Sequence, residues 1–156
     1  MDADDISQII FLLILLALSA FFSSSETALT TVNKIRMRTL AEAGNKKAEK
    51  VLKVTENSPK MLSAILIGNN IVNLSASSLT TSLAIKLFGS VGAGVATGIL
   101  TFLILIFGEV SPKTLATIKA DRISLSIAGF ISVLMVVLTP VIFIINKLSL
   151  GVIFLE

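Results

Sequence analysis

Four apolar runs dominate this chain, over about residues 6–29, 61–88, 91–107 and 123–155. A helix needs roughly 20 predominantly apolar residues to cross a bilayer. A domain of 156 residues with 54% hydrophobic and 15% charged residues does not bury runs of that length in a soluble core. In hydrocarbon each backbone amide must be satisfied within the structure itself, which favours helices. The expected class is therefore an all-α membrane protein, a single domain over residues 1–156. The first run has no preceding base and no small-residue cleavage site, so it reads as a retained helix. Cys and His are absent, which excludes disulfides, thiolate ligation and imidazole ligation.

Charge orients the runs. The segment before Thr31 holds Asp2, Asp4, Asp5 and Glu26 and no base, whereas eight of the 13 bases fall between Thr31 and Lys60. By the positive-inside rule residues 31–60 are cytoplasmic and the N-terminus is outside. This basic stretch lacks stacking aromatics and is interleaved with Glu42, Glu49 and Glu56. It suits a solvated surface facing membrane lipids, and no nucleic-acid partner is expected. Gly44-Asn45 divides it into two short helices, a cytoplasmic hairpin, and Ser58-Pro59 opens the next element. Asp5 or Ser7 is the expected cap of the first helix. FGSVGAG (88–94) predicts a short loop between antiparallel neighbours, with Lys86 near the outer interface. Gly94 and Gly98 form a weak close-packing signal. Pro112 frees the carbonyl of Gly108, so a kink or unwinding is expected there. The last run contains Pro140, and hydropathy allows either a fourth span or a bent helix along the bundle.

Polar groups inside the runs locate a candidate site. Glu109 is the only acidic residue between Gly68 and Ala120. An ionised carboxylate among apolar residues in a membrane is costly and needs a partner. Ser19 and Ser23 share one helical face, with Glu26 one turn on; Asn69 and Asn73, and Asn70 and Asn73, fall at helical spacing on the second run. At 1.5 Å per residue, Ser19 and Ser23 lie roughly 20–25 Å from the outer start of their run and Glu109 about 27 Å. Asn69 to Asn73 lie about 15–21 Å from the inner start of theirs. With some tilt the three sets meet just inside the midplane. Each has an ordinary explanation: serines bond back to a carbonyl one turn earlier, asparagines bond between helices, and Glu109 pairs with Lys113. All-oxygen ligation with one carboxylate suits Mg2+, Ca2+ or Mn2+, with Na+ also possible, held weakly.

Four segments together, LSAFFSSSETAL (18–29), the paired short helices, IGNNIVN (67–73) and FGEVSPKTLA (107–116), resemble the transmembrane domain of the CNNM/CorC magnesium transporters, in order and spacing. The resemblance covers essentially the whole chain. It implies a homodimer with three transmembrane helices per protomer and a C-terminal juxtamembrane belt helix, in the cell (inner) membrane, with a cytoplasmic C-terminus. It implies Mg2+ export, with Na+ as a possible coupling ion. The metal ligands it implies are Ser19 and Ser23, two or more of Asn69, Asn70 and Asn73, the Gly108 carbonyl and Glu109. Two hydroxyls, two Asn carbonyls, one backbone carbonyl and one carboxylate oxygen would make six. Paired CBS domains that bind adenine nucleotides normally follow in the family, so nucleotide is expected only through regions beyond Glu156. An enzyme is not expected: there is no His and no Ser–Lys or Asp–Asp pair at a plausible depth. A membrane-embedded metal sensor or scaffold is the alternative.

Overall fold

Asp2 begins the first helix, α1 (Ala3–Thr31), by accepting the Asp5 N–H, and the Asp5 carboxylate accepts the Asp2 N–H in return. This reciprocal capping box satisfies two end donors that α1 would otherwise leave unpaired. The cap is therefore Asp2 rather than Asp5 or Ser7. The computed structural model describes residues 2–155, and every element among them is helical.

Asn33 caps α2 (Lys34–Glu42) and Asn45 caps α3 (Lys46–Glu56), each accepting an N–H three residues on. Gly44, at φ 96°, makes the turn between them in a region open to glycine. Met37, Ala48 and Val51 are fully buried where the hairpin closes.

The next helical stretch, α4 (Ser58–Leu103), is 46 residues long and leaves helical geometry only at Gly89 (φ 79°, ψ −174°). The sequence predicted a loop here; a single residue suffices, because glycine at positive φ turns the chain without the Cβ clash other residues meet. The two arms run antiparallel. Gly68 on the first arm lies against Phe22, and Gly108, beyond the second arm, lies against Ser19, so both arms reach the same level of α1. A Cβ built on Gly94 or Gly98 would meet nothing within 4 Å among the described residues, so neither glycine makes a close contact within this chain.

The second arm continues through a π-helical segment (Ile104–Val110) into α5 (Ser111–Ile118). The last apolar run forms two helices, α6 (Ala120–Val137) and α7 (Thr139–Phe154), divided at Leu138 just before Pro140. Along α6 the buried residues Ala120, Ser124, Ala128, Ile131 and Met135 form one stripe, and α6 packs against α1, α3 and α4. Its contact with α3 puts α6 at the hairpin end of the bundle. Helices long and apolar enough to cross a membrane are Ala3–Thr31, Ser58–Ile118 and Ala120–Val137. The protein is thus an all-α membrane protein.

At the end opposite the hairpin, the Lys86 ammonium donates to Asp5 Oδ1 at 2.8 Å and lies 3.9 Å from Asp2. Lys86 is the only base between Lys60 and Lys113, and Asp5 is buried. The pair ties the start of α1 to the end of the first arm. Lys86→Met is expected to lower the melting temperature in detergent by a few degrees, and Lys86→Arg to preserve it. A Lys86→Met protein melting like the parent would show that this tie contributes nothing.

Candidate metal site

Serine hydroxyls in apolar helices normally bond back along their own helix. Ser24 and Ser25 do so, both donating to the Phe21 carbonyl, at 3.0 and 2.7 Å. Thr97 and Thr101 do the same on the second arm. Ser19 and Ser23 do not. Both are buried to 1% exposure, and neither hydroxyl oxygen has a hydrogen-bond partner among the described residues. The carbonyl oxygens of Asn69 and Asn73 are likewise buried and unpartnered. The ordinary explanations for the serines and asparagines therefore do not account for these four oxygens.

Two close approaches fix their common level. A methyl group built on Gly108 would come within 3.0 Å of Ser19 Oγ, so α1 and the π segment meet with no side chain between them. A methyl group on Gly68 would come within 2.6 Å of the Phe22 ring, so α1 meets the first arm equally closely one residue from Asn69. Asn69 and Asn73, four residues apart, share one face of that arm.

The wide turn over Ile104–Val110 explains how Gly108 fits. In a π-helical turn the amide bonds the carbonyl five residues back, and here the Ser111 N–H donates to Ile106 O. The expected kink or unwinding is instead this local widening. Pro112 brings no N–H to the carbonyls of the preceding turn. Gly108, four residues before Pro112, is buried.

Glu109 follows, half-buried, and its Oε2 lies 3.6 Å from Lys113 Nζ. The pair predicted as the ordinary partner of Glu109 is thus formed. It is loose, because 3.6 Å exceeds hydrogen-bond length. Asn70, in contrast, is exposed and does not join Asn69 and Asn73 on their buried face. Glu26 is half-buried one turn beyond Ser23. Among the described residues no three Asp, Glu, His or Cys gather into a cluster. This level is therefore poor in charge, with neutral oxygens and two half-buried carboxylates, Glu26 and Glu109, nearby in sequence. The sequence did not single out two further buried hydroxyls without partners, Thr80 and Ser124. Their spacing signal is faint: Thr80 continues the buried face Asn69–Asn73–Ala76, and Ser124 stands in the α6 stripe.

A family profile described as the cyclin M (CNNM) transmembrane N-terminal domain matches residues 9–155. The chain belongs to the CNNM family. A UPF0053 protein of Haemophilus influenzae is 43% identical over 147 residues, which is 94% of this chain and 35% of that protein. The UPF0053 inner membrane protein YfjD of Escherichia coli is 38% identical over 132 residues, 85% of this chain and 31% of YfjD. A chloroplastic DUF21 domain-containing protein of Arabidopsis thaliana is 36% identical over 146 residues, 93% of this chain and 22% of the plant protein. The chain thus spans about a third or less of these relatives. What it shares with them is the CNNM membrane domain described above.

Proposed function

We propose that this domain carries Mg2+ across the inner membrane, exporting it in exchange for Na+, as a homodimer with the hairpin end in the cytoplasm. The observation that carries the reading is the set of four buried, unpartnered oxygens on α1 and α4, level with Gly108. Leaving such a group unsatisfied costs about 1–3 kcal/mol. A bare or partly hydrated cation removes that cost for all of them at once, and Glu109 supplies the charge. Ser19, Ser23, Asn69, Asn73, the Gly108 carbonyl and Glu109 are the proposed ligands; exposed Asn70 is left out of the set. A site with one carboxylate and neutral oxygens holds its ion weakly enough to release it, as transport requires. The orientation rests on the bases of residues 31–60.

The test is Mg2+ flux in proteoliposomes against imposed Na+ gradients. Flux that depends on the Na+ gradient is expected. Mg2+ binding without flux would replace transport by the sensor or scaffold reading. One observation favours that second reading: the Glu109–Lys113 pair can balance the carboxylate without any ion.

Selectivity follows from ligand number. Mg2+ takes six oxygens at about 2.0–2.1 Å, whereas Ca2+ prefers more ligands at longer range. Ser23→Ala is expected to weaken Mg2+ binding severalfold in a calorimetric titration, and the parent should prefer Mg2+ to Ca2+. Unchanged affinity in the alanine variant would remove Ser23 from the ligand set. Equal affinity for the two ions would count against a tight six-oxygen cage.

A further inference from the structure

A second polar feature lies outside the metal site, at the hairpin end. The end of α1, the start of α2 and the α5–α6 junction enclose an open groove of about 540 Å3. Arg36, Lys119 and Arg122 line it, with Asp121 as its only acid among the described residues. Asp121 is already committed. Its Oδ1 accepts the Asn33 N–H at 3.0 Å and its Oδ2 faces Arg36 at 3.4 Å, so it braces α2 against α6. Among the described residues Lys119 and Arg122 have no ion-pair partner. The groove therefore has more positive charge than it can balance internally.

We propose that this groove binds the phosphodiester headgroup of an anionic phospholipid. Three observations select that ligand. The groove lies where α1 ends at Thr31 and the second arm's continuation ends at Ile118, so two membrane-crossing helices stop at its rim. That is headgroup depth, where basic pockets between membrane helices meet anionic lipid. Its walls are mixed: Met37, Leu40 and Leu125 contribute apolar surface beside the cations. Exposed Leu115 and Ile118 continue that surface along α5, on the side an acyl chain would occupy. Arg36 can present two parallel N–H donors to phosphate oxygens, with Lys119 and Arg122 adding charge from the opposite wall. Such a headgroup would bridge α2 and α6 alongside Asp121.

The chain contains no Trp and no Tyr, so a single introduced Trp reports without background. Thr117→Trp places it on the groove wall, and Ile35→Trp places it on the exposed face of α2 outside the groove. The whole chain is reconstituted in vesicles of brominated phosphatidylglycerol or brominated phosphatidylcholine. At Thr117→Trp, quenching by the glycerol lipid is expected to exceed quenching by the choline lipid at least twofold, and at Ile35→Trp the two should match. The excess should disappear when Arg36, Lys119 and Arg122 are all changed to Gln. Equal quenching at Thr117→Trp would overturn the proposal, as would the same excess at Ile35→Trp, which means diffuse surface charge. Loss of the excess on adding inorganic phosphate at about 10 mM would assign the groove to free phosphate instead. The comparison in the unneutralised chain decides even if the triple variant does not fold.

Discussion

Glu109→Gln is expected to weaken Mg2+ binding at least tenfold, about 1.4 kcal/mol, while helix content and assembly stay as in the parent. The amide keeps the shape and one oxygen of the carboxylate, so the change removes charge and little else. No other acidic side chain lies on the second arm or its continuation between Ser90 and Ile118. Lys113→Met gives the complementary measurement. If Glu109 serves the ion, removing the ammonium 3.6 Å away frees the carboxylate, and affinity should hold or rise. If Glu109 serves only Lys113, the same variant should be destabilised with no gain in affinity. Calorimetric titration with Mg2+, beside thermal unfolding, reads both. Unchanged Mg2+ affinity in Glu109→Gln would sink the metal role.

The largest structural effect is expected at Gly68. Any Cβ there reaches within 2.6 Å of the Phe22 ring, and that ring is 6% exposed and set edge-on to Phe21 at 5.4 Å. Phe21 in turn meets Phe130 of α6 at 5.1 Å, so Phe22 has little room to retreat. Gly68→Val should cost about 1–3 kcal/mol by overpacking, seen as a melting point several degrees lower. It should also weaken Mg2+ binding, because Asn69 and Ser23 adjoin the two residues forced apart. Phe22→Leu introduced beside it should recover part of both losses. A Gly68→Val protein with the parent's melting point and affinity would mean that α1 and the first arm do not meet this closely.

Much of this arrangement is legible in the residues. Apolar length gives the crossing helices, and Gly44-Asn45 marks the hairpin turn because each residue has one local job there: positive φ and a cap. Spacing and depth bring Ser19, Ser23, Asn69, Asn73 and Glu109 to one level. Other features have no local signature. Asn70 and Asn73 are as well spaced on a helix as Asn69 and Asn73; only packing against α1 decides which pair is buried. The π-helical turn shifts hydrogen bonds by one residue, a change that composition does not encode. FGSVGAG offers three glycines, and only the backbone shows that Gly89 alone makes the turn. The Asp5–Lys86 tie joins residues 81 apart, beyond the reach of any periodicity.

The turn at Gly89 has a metric consequence. Gly68 lies 21 residues before Gly89 and Gly108 lies 19 after it, so the two halves of the site hang from one joint on arms of nearly equal count. Each residue in a helix adds about 1.5 Å of height and 100° of rotation. One residue inserted or deleted between the joint and either half would offset the oxygens of that half in both height and direction. Between Gly68 and Gly108, therefore, the number of residues is specified as strictly as the ligands, although most side chains along the arms touch nothing in the site.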